Sequence, residues 1–184
     1  VEEYGDSEAR DRAIAEAAVA ALRRDRDELG HDHLLMARTQ SKERADAVAT
    51  IYQKLAPDLR PVVAYSGPGR TTAKRAALER VLDRGPEGSR IVICVDMLGE
   101  GFDLPNLKVA ALHDTHKSLA ITLQFIGRFT RKGAWGQIGE ATVVANIADP
   151  TTESKLANLY AEGADWDQLI RRLSEDRIAS ELRL

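Results

Sequence analysis

Cysteine is nearly absent from the sequence, because Cys94 is the only one among 184 residues. A single thiol can form neither a disulfide framework nor a cysteine-based metal site. Cys94 lies inside the apolar run RIVICV, where a small buried side chain fits. The composition is therefore typical of a protein that works in a reducing, cytoplasmic compartment.

Long apolar runs and an excess of positive charge are also missing. No run approaches the roughly 20 residues needed to cross a bilayer, and the acidic start VEEYGDSEAR lacks the features of a signal peptide. We therefore expect no membrane segment. The formal net charge of −3 argues against binding nucleic acid by bulk charge alone, so any phosphate contact must be local. A chain that opens on valine is typical of a fragment or a processed product.

Short apolar runs alternate with helical patterns along most of the chain. An alanine-rich helix is predicted from Ser7 to Leu29, and further helices over residues 41–55, 71–83 and 118–131. Runs that are apolar throughout predict strands buried on both faces, and their alternation with helices predicts a parallel sheet. These runs cover residues 33–37, 61–65, 90–95, 108–113 and 141–147. The predicted fold class is a three-layer α/β domain with helical extensions at both ends.

The predicted organisation has three parts. Residues 1–30 form an N-terminal helix leading into the domain, residues 31–148 form the sheet domain, and residues 149–184 form a C-terminal helical extension. Ligands of parallel sheets bind beyond the carboxyl ends of the strands. The candidate site therefore consists of the loops that start at Arg38, Asp96, Asp114 and Ala148.

The stretch QFIGRFTR, residues 124–131, has an unusual polar face. At helical spacing Gln124, Arg128 and Arg131 lie on one side, while the apolar residues lie on the other. Arginine suits phosphate, because its planar guanidinium can bond two oxygens at once and stays charged. The alternative is that these arginines pair with neighbouring carboxylates on a solvated face.

The stretch VDMLGEGFDLP, residues 95–105, follows a predicted strand. Gly99 and Gly101 flank Glu100, and Asp103 stands near the end of the loop. Glycines in this position let backbone N–H groups approach a phosphate or sugar, and a carboxylate can accept from ribose hydroxyls. The alternative is a tight turn that the aspartate caps.

Two histidine pairs could suggest metal ligands. The sequences are HDH at residues 31–33 and HDTH at residues 113–116. The first begins a predicted strand and the second ends one, so we predict no metal site.

In this order, the two long stretches resemble motifs V and VI of the C-terminal RecA-like domain of DEAD/DEAH-type superfamily 2 helicases. QFIGRFTR is similar to the Gln-x-x-Gly-Arg-x-x-Arg signature, and HLLMARTQSKERADAV, residues 33–48, to motif IV. The resemblance covers residues 31–148 and implies a RecA-like, P-loop NTPase-type fold. The sequences of these motifs resemble most those of bacterial helicases and of the translocating motors of restriction and phage-defence systems.

The resemblance implies roles for particular residues. Arg128 and Arg131 would be arginine fingers that stabilise charge developing on the γ-phosphate, and Gln124 would position the nucleotide. The ATP ribose and the domain interface would be contacted by Glu100, Gly101 and Asp103. Nucleic acid would be contacted by Arg38, Thr39, Gly67, Asp96 and Met97. The chain departs from the family pattern at Val95, where many members have Thr or Ser, and at Ser66, where the usual residue is His.

The sequence also lacks a P-loop and an Asp-Glu-x-x strand that would hold Mg²⁺. The resemblance therefore implies half of an ATP site, which an N-terminal RecA-like domain of the same polypeptide completes with most of the Mg²⁺ ligands. We expect the second motor domain of an ATP-dependent helicase or translocase, inactive in isolation and acting on DNA in preference to RNA. The alternatives are an unrelated α/β nucleotide- or phosphate-binding module and a non-catalytic interaction domain with a motor fold.

Overall fold

The structure is a computed structural model that describes residues 2–64, 71–95, 104, 106–114 and 141–145. Helix α1 continues into a π-helical turn, and a short 3-10 turn follows α2. No helix among the described residues is long and apolar enough to span a membrane. The elements in chain order are α1 (Glu2–Arg23), the π-helical turn (Arg24–Glu28), β1 (Leu34–Thr39), α2 (Lys42–Leu55), the 3-10 turn (Pro57–Leu59), β2 (Val62–Ala64), α3 (Thr71–Leu82), β3 (Ile91–Val95), β4 (Leu107–Leu112) and β5 (Thr142–Ala145).

The five strands form one parallel sheet in the order β2-β3-β1-β4-β5. This confirms the predicted sheet, and each strand overlaps the run that predicted it. The largest difference is in β1, which was expected to end at Ala37 but continues to Thr39 by pairing with Val95. The predicted helix over residues 118–131 and the predicted C-terminal extension lie outside the described residues.

Helices α1 and α2 cover one face of the sheet. Alternate residues of the central strands, such as Leu35 and Ile93, pack in one apolar cluster against Leu22 of α1 and Val48 of α2. Helix α3 contacts β2 and β3 and buries Ala77 and Val81, which lie outside that cluster. Every residue of β1 and β4 is buried, as expected for strands with neighbours on both edges and layers on both faces. This arrangement confirms the three-layer α/β fold.

Ser41 caps the start of α2. Its backbone is extended, with φ −145° and ψ 166°, and its hydroxyl accepts a hydrogen bond from the N–H of Arg44 at 3.3 Å. A cap of this kind satisfies one of the free N–H groups in the first helical turn. The connection from β1 to α2 is therefore short and ordered, with only Gln40 and Ser41 between the two elements.

The N-terminal helix departs from the predicted single regular helix near its end. After Arg23 the chain forms the π-helical turn, and Gly30 then adopts a positive φ of 69°. Within the turn Asp25 is buried and its carboxylate lies 2.9 Å from Nδ1 of His33. The turn therefore directs one acidic side chain into the protein at the amino end of β1.

Gly88 lies in the connection between α3 and β3, where its backbone allows no side chain. A Cβ atom there would overlap the carbonyl oxygen of Asp83 and stand 2.7 Å from Nη1 of Arg90. We expect Gly88→Ala to lower the free energy of unfolding by about 2–3 kcal/mol, because the backbone has to move. Gly85→Ala is the matched control, since its Cβ would meet the movable Asp83 carboxylate at 3.0 Å. Equal unfolding midpoints in urea for the two variants would contradict this packing.

Candidate functional site at the carboxyl edge of the sheet

The carboxyl ends of β3, β1 and β4 lie side by side, because β1 is the strand between the other two. Thr39 pairs with Val95 at the end of β3, and Arg38 pairs with Leu112 at the end of β4. The segments that leave these strands therefore start at one edge of the sheet. Parallel sheets of this class bind ligands at that edge.

Arg38 and Thr39, both predicted to contact nucleic acid, are buried at this edge, with 2% and 1% of their surface exposed. The Thr39 hydroxyl lies 3.2 Å from the carbonyl oxygen of Cys94, to which it donates. Both residues belong to β1, which explains why their side chains are covered. The exposed side chains that follow them are Gln40, Lys42 and Glu43. A nucleic-acid contact by Arg38 or Thr39 stays a prediction.

Arg44, in the first turn of α2, joins two carboxylates that come from different elements. Its Nη1 and Nη2 atoms bond the two oxygens of Asp11 on α1 at 2.6 and 2.9 Å. Its Nε and Nη2 atoms bond Oδ1 of Asp114, after β4, at 3.1 and 2.9 Å. The Asp11 and Asp114 side chains are only 2% and 8% exposed. Such forked, charge-assisted bonds fix geometry as well as charge.

Asp114 and His113 also hold the backbone that leaves β1. The Asp114 Oδ2 atom accepts from the N–H of Gln40 at 3.1 Å, and the N–H of His113 donates to the carbonyl oxygen of Arg38 at 3.1 Å. Together with Arg44, this gives three points of attachment between the end of β4 and residues 38–44. The carboxyl ends of β1 and β4 are therefore joined by hydrogen bonds into one unit.

The His113 ring lies beneath this unit and is fully buried. Its Nδ1 atom is 3.1 Å from Oδ1 of Asp11, and its Nε2 atom is 3.1 Å from the hydroxyl of Tyr52. The carboxylate accepts from Nδ1–H, and Nε2 forms a hydrogen bond with the Tyr52 hydroxyl. Both ring nitrogens thus bond protein groups.

The charges in this network are mutually compensating. Burial by itself raises the pKa of Asp11, but the hydrogen bonds from His113 and Arg44 outweigh it and hold the pKa below its ordinary value. The hydrogen bond to Asp11 is the main reason that the pKa of Arg44 is raised. Burial, with a smaller contribution from the charge of Asp11, raises the pKa of Tyr52. At neutral pH the network therefore contains charged Asp11 and Arg44 and a neutral tyrosine.

A second polar cluster lies at the opposite, amino edge of the sheet. The carboxylate of Asp32 bonds Arg26 at 2.6 Å and also bonds Arg84. His31 stacks on His33 with ring centroids 4.8 Å apart. In the part of the chain that the structure describes, no group of three or more side chains could hold a metal ion. The charged groups of this cluster form ion pairs with one another.

Most of the predicted site residues lie outside the described residues, so the structure places only Arg38 and Thr39 among them. The others are the predicted catalytic residues Gln124, Arg128 and Arg131, the predicted nucleotide contacts Glu100, Gly101 and Asp103, and the predicted nucleic-acid contacts Gly67, Asp96 and Met97. Their roles stay predictions.

Sequence reasoning did not single out Asp11, Arg44 or Tyr52. One signal was present, because Asp11 precedes Ile14 and Ala15 by three and four residues and so shares the apolar face of α1. An acidic residue on a buried helix face requires a partner. The sequence does not identify that partner.

Comparison with known proteins identifies the class to which this domain belongs. Residues 17–133 match the family described as the helicase conserved C-terminal domain. The match spans more than half of the chain, so the chain belongs to this family. The five-stranded parallel sheet is that of the C-terminal RecA-like domain of superfamily 2 helicases.

Two curated relatives are both ATP-dependent RNA helicases named DRS1. The one from Candida glabrata is 30% identical over 89 residues, which are 43% of this chain and 12% of that protein. The one from Yarrowia lipolytica is 26% identical over 93 residues, which are 46% of this chain and 12% of that protein. The chain therefore spans about an eighth of the length of the curated relatives it matches.

Solved helicase structures share the fold. Mss116p lacking its N-terminal extension and C-tail, bound to single-stranded RNA and AMP-PNP, matches with a TM-score of 0.56 and 17% identity, over 79% of this chain and 28% of that one. The C-terminal part of the Fun30 ATPase domain matches with a TM-score of 0.54 and 13% identity, over 77% of this chain and 43% of that one. The C-terminal domain of S. cerevisiae Dbp5 matches with a TM-score of 0.52 and 16% identity, over 77% of this chain and 82% of that one.

Proposed function

We propose that this chain is the second motor domain of an ATP-dependent nucleic-acid helicase or translocase. The observation that carries the proposal is that the family match over residues 17–133 includes QFIGRFTR, residues 124–131. In this role the domain closes on an ATP-bound first domain. Arg128 and Arg131 then stabilise the charge that develops on the γ-phosphate, and Gln124 positions the nucleotide.

The residues of this chain suit the triphosphate better than the metal ion. Two arginines supply donors for phosphate oxygens, while the sequence contains neither a P-loop lysine nor an Asp-Glu-x-x sequence on a predicted strand. We therefore assign Mg²⁺ mainly to the first domain, with Glu100, Gly101 and Asp103 against the ribose and the domain interface. ATP with Mg²⁺ supplies the phosphoryl group whose hydrolysis drives movement.

The nucleic acid would contact the carboxyl edge of the sheet, where Gln40 and Lys42 are exposed. Gly67, Asp96 and Met97 would add contacts from neighbouring loops. The preference for DNA has no support from the two curated relatives, which are both named RNA helicases. RNA is accordingly the first polymer to test. The suggested kinship with bacterial restriction motors also has no support among these relatives.

Family membership sets aside the unrelated α/β module, which leaves a non-catalytic domain with a motor fold as the alternative. A domain that had lost the chemistry would have no need to keep Gln124, Arg128 and Arg131 together with Asp103. Their presence in one chain favours the motor function.

We expect the isolated chain to fold but to show no ATP hydrolysis that RNA or DNA stimulates, and only weak nucleotide binding. The reason is that half of the ATP site is missing from its sequence. A steady-state assay with and without each polymer checks this expectation. Turnover that survives purification and disappears in Arg128→Ala would show that the site is complete here, and the proposal of a divided site would be wrong.

A further inference from the structure

The two-residue connection between β1 and α2 is fixed by a side chain that is distant in sequence. The carboxylate of Asp114 accepts the N–H of Gln40 at 3.1 Å, across a separation of 74 residues. The same carboxylate bonds Nε and Nη2 of Arg44, at the start of α2. Asp114 thus holds both ends of the turn that presents Gln40 to solvent.

Asp114 is itself held in place. Arg44, its partner, forms a forked pair with Asp11, whose side chain is 2% exposed. If Arg44 turned away, a buried carboxylate would lose its compensating charge, which is strongly unfavourable. The orientation of the Asp114 oxygens toward Gln40 is therefore set by the buried pair below them.

We propose that Asp114 is a positioning residue for nucleic-acid binding, acting through the N–H of Gln40 to fix the turn that presents the Gln40 and Lys42 side chains. The inference rests on the proposed function, which assigns nucleic-acid contacts to this edge. Asp114 does not itself bind the polymer, because its side chain is 8% exposed and its charge is paired with Arg44. A fixed turn binds more tightly than a mobile one, since less conformational freedom is lost on binding.

The sign of the effect separates positioning from simple electrostatics. Removing a carboxylate near a polyanion should strengthen binding if only charge matters. If Asp114 positions the turn, removing it should weaken binding although the protein becomes less negative. The two explanations therefore predict opposite changes in affinity.

The experiment compares Asp114→Ala, Asp114→Asn and Asp32→Ala in the 184-residue chain. Asp32 is the matched control, because it is also an aspartate bonded to two arginines but lies at the opposite edge of the sheet. Hydrogen exchange of the Gln40 amide, followed by NMR, reports on the turn directly. Fluorescence anisotropy with labelled single-stranded oligouridylate and oligothymidylate at low ionic strength reports on binding.

We expect Asp114→Ala to speed exchange of the Gln40 amide by about tenfold or more and to weaken oligonucleotide binding about fivefold. Asp114→Asn should lie between Asp114→Ala and the unmodified chain in both measurements, because the asparagine oxygen can still accept from Gln40. Asp32→Ala should change neither exchange at Gln40 nor binding, apart from a slight gain in affinity through charge.

Unchanged exchange at Gln40 in both Asp114 variants would overturn the proposal, whatever binding does. Faster exchange with equal or tighter binding would show that the turn is fixed by Asp114 but does not contact nucleic acid, which also overturns it. If the unmodified chain bound neither oligonucleotide, the proposal that nucleic acid contacts the carboxyl edge of the sheet would be wrong. The proposed role of Asp114 in binding would then be wrong as well.

Discussion

Replacing Arg131 with lysine in the full-length polypeptide that contains this chain should lower the rate of ATP hydrolysis about 100-fold, with little change in ATP affinity. Lysine keeps the positive charge but lacks the planar fork that bonds two phosphate oxygens. The loss corresponds to about 3 kcal/mol of stabilisation that arises chiefly in the transition state. Single-turnover hydrolysis and an ATP titration measure the two quantities separately.

Arg75→Lys is the control for this variant. Arg75 is 74% exposed and pairs with Glu79 at 3.7 Å on the surface of α3, so its replacement should leave hydrolysis unchanged. Normal hydrolysis in Arg131→Lys, together with a large loss of nucleic-acid affinity, would show that Arg131 contacts the nucleic acid and not the γ-phosphate. The arginine-finger assignment would then be wrong.

Arg44→Met should lower the free energy of unfolding by about 3–5 kcal/mol, the cost of leaving a buried charge without its partner. Methionine keeps much of the side-chain bulk, so the lost interaction is mainly that of the guanidinium with Asp11 and Asp114. Arg12→Met is the matched control, because Arg12 bonds Glu8 at 3.1 Å with both side chains more than half exposed. It should cost less than about 0.5 kcal/mol.

Urea unfolding of both variants gives these free energies, and similar losses for the two would contradict the buried network. The pH dependence provides a second readout. Because the folded-state pKa of Asp11 is lowered from 3.8, its contribution to stability is fully present above that value and is lost as the pH falls through the folded-state pKa. Arg44→Met removes one cause of the lowered pKa, so this part of the acid dependence should become smaller.

The fold was predictable from the sequence to the extent that burial leaves a local pattern. Residues 91–95 and 109–112 are apolar throughout, and the corresponding strands β3 and β4 lie inside the sheet with neighbours on both edges. The strand order was not predictable in this way, because it depends on which strands pair and no local pattern records that. The same holds for the π-helical turn after α1, which replaces the last part of a helix that the sequence predicted as regular.

The site was harder to predict, for two physical reasons. The strand predicted to end at Ala37 continues to Thr39, so Arg38 and Thr39 belong to the sheet and are buried. The network at this edge is also assembled over long sequence separations, which are 33 positions from Asp11 to Arg44 and 70 positions from Arg44 to Asp114. Single-sequence patterns report neighbours along one element, and these contacts join three elements.

The most direct test of the motor function is the rate of ATP hydrolysis by the full-length polypeptide, measured with and without single-stranded RNA or DNA. A second motor domain completes the ATP site when nucleic acid brings the two domains together, so at least one polymer should raise the rate. The 184-residue chain alone should show no such stimulation. A full-length protein that hydrolyses ATP equally fast with and without both polymers, or not at all, would contradict the proposed function.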